Sequence, residues 1–288
     1  MAHIHIGTCS WKYQSWENLI YRPHSEQSYL AQYAQQYDTV EIDQWFWSLG
    51  KSSYALPDRK TVLSYDEDTP STFRFTVKCP NALTQYFAYG SKSEKNKWFL
   101  DAQTMYRFLD SLSPLAMKIG CLMFQFSYIN KNMFAHAHHF YEQLEEFFSV
   151  LPDSFSYAVE LRNPAWLDQQ WFSFLAKQQV CPVLLEGYWM EPVSHLIARY
   201  GHLFTDSFVL RLHGDDRAFI EDASKEEWNQ LVLPKDGELV KIAPQLIKLA
   251  QEGKTIYVNV NNHYEGSAPL TIRKLVDLLG IAEKKVYD

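Results

Sequence analysis

The chain has 288 residues, 47% hydrophobic and 16% aromatic, which is enough apolar surface for a large core and too much for a disordered chain. Its 27 Lys and Arg against 34 Asp and Glu leave a net charge of −7. That balance counts against nucleic-acid binding through a broad basic face, without excluding a small basic cleft.

Strand-like segments alternate with helical ones from end to end. Taken in order, the strands are expected at 3–9, 38–43, 73–78, 119–126, 156–162, 180–186, 207–213 and 255–261, each a short β-rich run. Amphipathic helices are expected at 25–37, 97–112, 134–149, 168–178, 237–252 and 269–279. Pro and Gly punctuate the joins, at Pro57, Pro80, Pro114 and Gly253 among others. Eight strands separated by helix-length segments match the (β/α)₈ TIM-type barrel, read here as one domain over residues 1–288. The competing doubly wound sheet wants a glycine-rich turn after its first strand, and Gly7-Thr8-Cys9-Ser10-Trp11 is not one. Two polar, aromatic stretches, 44–72 and 80–97, are expected as long loops over the C-terminal mouth.

No run approaches the roughly 20 apolar residues of a membrane span. Met1-Ala2-His3-Ile4-His5 lacks the pattern of a secretion leader, and Lys284-Lys285 is too short to be a basic tail. Cys9, Cys79, Cys121 and Cys181 are dispersed and form no CxxC pair. A reduced, cytoplasmic protein without a membrane partner is the expectation.

Side chains two apart in a strand share a face. Strand by strand, the bulky residues fall on one face and the polar ones on the other. Glu41 and Asp43 oppose Val40 and Ile42, and Arg74, Thr76 and Lys78 oppose Phe73, Phe75 and Val77. Glu160 and Arg162 oppose Val159 and Leu161, Arg211 and His213 oppose Leu210 and Leu212, and Asn259 and Asn261 oppose Val258 and Val260. In a barrel the bulky face meets the helices and the polar face points inward. Buried charges must there be paired, hydrogen-bonded or kept for a ligand. Glu41, Asp43, Glu160 and Glu186 are therefore set against Arg74, Lys78, Arg162 and Arg211, with a structural ion pair expected for Arg74 and Lys78 expected to pair with Glu41.

Several motifs carry a family resemblance: Ile6-Gly7-Thr8-Cys9-Ser10-Trp11-Lys12-Tyr13, Thr39-Val40-Glu41-Ile42-Asp43 with Phe46-Trp47, and Phe73-Arg74-Phe75-Thr76-Val77-Lys78-Cys79-Pro80. Phe124-Gln125-Phe126, Ala158-Val159-Glu160-Leu161-Arg162-Asn163 with Trp166, Arg211-Leu212-His213-Gly214 and Asn261-Asn262 complete them. Across nearly its whole length the chain resembles the domain of unknown function 72 family, also called YecE-like. The resemblance implies a TIM-type barrel and no particular reaction. The chain departs from it where Asp43 replaces Asn, Asn163 replaces His, Ser127-Tyr128 replaces a Pro pair and Gln85 stands where His is common.

The leading expectation is an acid–base or hydrolytic enzyme without a required cofactor, with Glu160, Glu41, Lys78 and His213 as catalytic groups. A small polar, anionic or sugar-like substrate, phosphate- or sugar-containing, would be held by Trp11, Tyr13, Asp43, Trp47, Gln125, Arg162, Trp166, Arg211, Asn259, Asn261 and Asn262. A second reading is a divalent-metal phosphodiesterase resembling endonuclease-IV-like barrels, with Glu41, Glu160, Glu186 and His213 as ligands and His263 nearby. A Schiff base on Lys78 and a non-catalytic ligand-binding protein are the others. His136, His138 and His139 read as a solvated helix face.

Overall fold

The computed structural model describes residues 3–281; Met1-Ala2 and Lys284-Lys285 lie outside them. Eight strands, β1 (Ile4–Thr8), β2 (Thr39–Ile42), β3 (Arg74–Lys78), β4 (Ile119–Phe126), β5 (Tyr157–Leu161), β6 (Cys181–Gly187), β7 (Ser207–Gly214) and β8 (Thr255–Val260), form one parallel sheet in the order β1-β8-β7-β6-β5-β4-β3-β2. This is the (β/α)₈ barrel, and every strand lies within about a residue of its expected place.

Around the strands run α1 (Tyr29–Gln36), α2 (Arg59–Glu67), α3 (Asn81–Thr84), α4 (Ala102–Ser111), α5 (Ala137–Ser149), α6 (Gln169–Lys177), α7 (Val193–Tyr200), α8 (Arg217–Ser224), α9 (Asp236–Gln251) and α10 (Ala268–Leu279). Six of them fall in the expected helical segments. The other four correct the sequence reading. The stretch 44–72 is not all loop, because α2 occupies its second half, and α3 opens the stretch 80–97; α7 and α8 had no expected counterpart. Two of these helices, α2 and α8, start where a capping side chain satisfies a free amide. Asp58 accepts from Thr61 N at 3.0 Å and Asp216 from Phe219 N at 2.9 Å, caps that each contribute about 1 kcal/mol.

The alternation has the inferred sense. Val40, Phe75, Phe124, Val159, Leu184, Leu210 and Val258 point outward into one core shared with the helices. A separate inner cluster, Cys121, Met123, Ala158, Cys181, Val183, Val209 and Tyr257, fills the middle of the barrel. It makes the barrel a packed core rather than a pore. Arg74 makes no ion pair among the described residues; its guanidinium donates to the Ser71 and Phe73 carbonyls at 2.9 Å.

One seam differs from the other seven. β1 pairs with β8 and β2 with β3, but no backbone ladder joins β1 to β2. Tyr33, from α1, stands in: its hydroxyl accepts from Thr8 N at 2.8 Å and donates to Thr39 O at 3.0 Å. Gly7 is required beside it, because a Cβ there would lie 1.9 Å from Thr39 O and 2.8 Å from the Tyr33 hydroxyl.

Candidate functional site

At the C-terminal mouth lies a cavity of about 440 Å³ whose walls come from all eight strand ends. Cys9 and Tyr13 follow β1, Asp43 and Trp47 follow β2, and Lys78 ends β3. Gln125 stands near the end of β4, Arg162 follows β5, Tyr188 follows β6, Arg211 and His213 lie on β7, and Asn261 follows β8. Ligand sites of such barrels are built at this face.

The floor is an ion-paired network centred on Arg211, fully enclosed by the barrel. Its Nε donates to Glu41 Oε2 at 2.8 Å and its Nη2 to Glu41 Oε1 at 2.7 Å, a bidentate fork. Nη1 donates to Glu160 Oε2 at 2.5 Å and to Gln125 Oε1 at 3.2 Å. The other Glu160 oxygen accepts from Arg162 Nε at 2.8 Å. Asn259 Nδ2 donates to Glu41 Oε2 at 3.2 Å and to Thr76 Oγ1 at 2.9 Å. Burial alone would raise the Glu160 pKa, but Arg211, Arg162 and Lys78 together hold it at about 2. Glu41 and Glu160 are 0% and 1% exposed and lie beneath the cavity rather than in its wall. The sequence led us to expect a divided acid–base pair; both carboxylates instead share one guanidinium.

Lys78 is the contrasting cation. Only 8% exposed, its ammonium has no hydrogen-bond or ion-pair partner among the described residues and sits 4.0 Å from the Phe46 ring centre. The expected pairing with Glu41 does not form, because Arg211 occupies that carboxylate. Burial, with Arg211 adding to it, lowers the Lys78 pKa from its ordinary value against the opposing pull of Glu41, Glu160 and Asp43. Arg162 spends its Nε on Glu160 and lays its guanidinium 5.2 Å from the Tyr188 ring centre.

His213 Nε2 and Cys9 Sγ stand 3.7 Å apart, and the thiol also lies 3.7 Å from Glu41 Oε2. Burial, with Arg211, Arg162 and Lys78, pushes His213 well below the ordinary histidine range, so its ring is neutral at pH 7. Burial and Glu41 push the Cys9 thiol well up, which rules against a resting thiolate. Asp43 also rises, through burial and then Glu41.

Of the expected substrate contacts, Tyr13, Asp43, Trp47, Gln125, Arg162, Arg211 and Asn261 line the cavity, together with Lys78 and His213. Trp11 does not; it is buried edge-on against Tyr65 at 4.9 Å, and its carbonyl accepts from the Tyr21 hydroxyl. Trp166 lies against Phe140, Asn259 is sealed in the floor, and Asn262 accepts from Ala268 N at 2.9 Å. Glu186 faces outward and accepts from Val193 N at 2.7 Å, so Glu41, Glu160, Glu186 and His213 do not converge as metal ligands. His136, His138 and His139 are exposed at the start of α5.

Sequence reasoning missed Cys9, Phe46, Asn81, Thr84, Gln85, Ser127, Tyr188 and Arg217 as cavity residues. Their one common signal is position in the segment that follows a strand. Asn163, where the resemblance has His, is not in the wall. Its amide donates to Ile129 O and accepts from Ile129 N, both at 2.8 Å, a two-way clasp that a planar amide suits. Next to the polar cavity, sharing Thr84, Gln85 and Ser127 with it, is an apolar pocket of about 260 Å³ walled by Tyr86, Phe87, Phe99, Phe126, Met133 and Phe134.

Fold and site together define an eight-stranded parallel α/β barrel with one polar, cation-rich mouth. Residues 5–288 match the family described as protein of unknown function DUF72, and the chain belongs to that family. A curated relative, the UPF0759 protein YecE of Escherichia coli K12, is 27% identical over 196 residues. That match covers 67% of this chain and 58% of the relative, so less than two thirds of the relative's length is spanned. Among solved structures, a DUF72 family protein of Enterococcus faecalis V583 is 20% identical with a TM-score of 0.69, covering 99% of this chain and 97% of that one. A DUF72 family protein of Thermotoga maritima MSB8 is 20% identical with a TM-score of 0.65, covering 96% of this chain and 99% of that one. Both show the same barrel. Among the described residues no helix is long and apolar enough to cross a membrane.

Proposed function

We propose that the protein is an acid–base enzyme acting on a small anionic substrate, bound at the mouth with its anion between Lys78 and Arg162. The observation that carries this reading is the Lys78 ammonium, buried beside the cavity with no direct hydrogen-bond or ion-pair partner among the described residues. A buried charge without a direct partner is costly, and here a ligand's phosphate or carboxylate would supply the contact that Glu41, Glu160 and Asp43 do not make. The apolar pocket alongside suits a substrate with a ring or hydrocarbon part.

In this reading Glu41 and Glu160 act as scaffold, fixing Arg211 and Arg162, and His213 acts as the base. Its pKa is depressed partly by Lys78, Arg162 and Arg211. An anion bound among those cations offsets their field and raises the histidine toward the range in which a general base works best at neutral pH. Substrate binding would thus switch the base on.

The test uses inorganic phosphate, then a panel of phosphorylated and carboxylated small molecules, read by calorimetry and by turnover of any binder. Wild type should bind, Lys78→Met should lose at least about tenfold in affinity, equivalent to about 1.4 kcal/mol, and His213→Asn should bind but not turn over. Equal phosphate affinity in Lys78→Met would refute the anion site. Binding without turnover by wild type would refute the enzyme and leave a ligand-binding protein.

A further inference from the structure

The β1–β2 seam, which lacks a backbone ladder, is bridged at its upper part by Tyr33. At the opposite, N-terminal face a second set of side chains spans it. His3 Nε2 lies 3.0 Å and His5 Nδ1 2.9 Å from the same oxygen, Oδ2 of Asp38, the residue before β2. The strand period of two places both imidazoles on one side of β1. His5 is held in orientation by parallel stacking on Tyr257, with ring centres 4.9 Å apart and planes inclined by 9°. One ligand atom from each of the three residues falls within 4.8 Å of the others, the one such group of His, Cys, Asp or Glu among the described residues.

We infer that His3, His5 and Asp38 form a transition-metal site that clasps β1 to the start of β2. Two imidazoles and one carboxylate are borderline donors, suited to Zn²⁺, Co²⁺, Ni²⁺ or Cu²⁺ rather than to Ca²⁺ or Mg²⁺. Metal–ligand bonds of about 2.0–2.2 Å require each imidazole nitrogen to move only a few tenths of an ångström from its present hydrogen-bonded distance to Asp38 Oδ2. On binding, each imidazole turns from donor to ligand, its proton moving to the ring's other nitrogen or to solvent. Three protein ligands leave a position open, and His3, with 58% of its side chain exposed, leaves water free to fill it. The site lies at the end of the barrel away from the mouth, so it is independent of the function proposed above. Its effect is mechanical: a metal would tie the two strands whose edges the sheet leaves unpaired.

The experiment takes the full chain without an affinity tag, stripped with a chelator, and titrates it with Zn²⁺ by calorimetry and with Co²⁺ by visible absorption. One equivalent should bind, with a rise in melting temperature that the chelator reverses. His3→Ala, at the exposed position, should fold and melt like the metal-free wild type yet bind at least about tenfold more weakly, and His5→Ala should abolish the Co²⁺ bands. Binding undiminished in His3→Ala and His5→Ala would place the metal elsewhere and overturn the inference, as would the absence of any bound equivalent in wild type.

Discussion

The inside of this barrel is divided by height. In the middle, inward residues of β4 to β8 are small or apolar: Cys121, Met123, Ala158, Cys181, Val183, Val209 and Tyr257. One step nearer the mouth β4, β5, β7 and β8 present Gln125, Glu160, Arg211 and Asn259, joined by Glu41 from β2. The lower layer is held by dispersion and exclusion of water, which tolerate small adjustments. The upper layer is held by charges so well paired that losing one strands the others. Such a network offers little net stability over an apolar equivalent. What it does provide is a rigid floor whose cations keep fixed positions under the cavity.

The sharpest way to break this comparison is to remove the shared guanidinium. Arg211→Met leaves Glu41 and Glu160 buried without their main partner and should cost about 3–5 kcal/mol, measured by urea unfolding. A loss below about 1 kcal/mol would mean that water or Lys78 takes over, and that the floor is less closed than the distances imply.

Acid should separate the layers next. Glu160 is held at about 2, below its ordinary value near 4.5. A depressed carboxyl contributes stability that is complete above the unfolded pKa and lost as pH falls through the folded one, here from about pH 5 down to about pH 2. The loss should be on the order of 3 kcal/mol. Glu160→Gln should flatten that part of the pH–stability curve, whereas substitutions in the apolar layer should leave its shape unchanged.

In the lower layer, Met123→Ala should cost about 2–3 kcal/mol by leaving a cavity between small neighbours, independently of pH. A pH-dependent penalty there would show that the two layers are coupled and the division by height is false.

The sequence made much of this legible, and the limits have physical causes. All eight strands were readable because outward runs such as Val40 with Ile42 and Leu210 with Leu212 alternate with polar partners, a period that only a strand supplies. The same period assigned Glu41, Glu160, Arg211 and Asn259 to the interior. Alternation gives the face but not the depth: whether Glu160 reaches the cavity or the floor depends on stagger, which sets it beside Gln125 on β4 and Val183 on β6. Loop residues have no period at all, so Gln85, Ser127 and Tyr188 were missed. Trp11 and Trp166 were placed in the wall on residue type alone, and type carries no direction. The helix α2 was overlooked because it buries only Val62 and Tyr65, too few for a periodic signal.

The smallest expected effect on stability belongs to Lys78, and it has the opposite sign. Arg211 and Lys78 are both buried cations of the upper layer, but among the described residues Arg211 is directly ion-paired, to Glu41 and Glu160, whereas Lys78 feels Glu41, Glu160 and Asp43 only from a distance. Lys78 is charged in a site that disfavours charge, as its lowered pKa records. For a lysine depressed in this way the folding penalty is present at neutral pH and fades as pH rises toward the ordinary value near 10.5. Lys78→Met keeps an unbranched apolar stem against Phe46 and removes the charge. It should therefore raise stability by up to about 1 kcal/mol near pH 7, with a gain that shrinks in alkali. The same substitution is expected to cost anion binding, so one residue would trade stability for function. A destabilised Lys78→Met would mean that the ammonium is paired after all, and would remove the reason for placing the substrate's anion beside it.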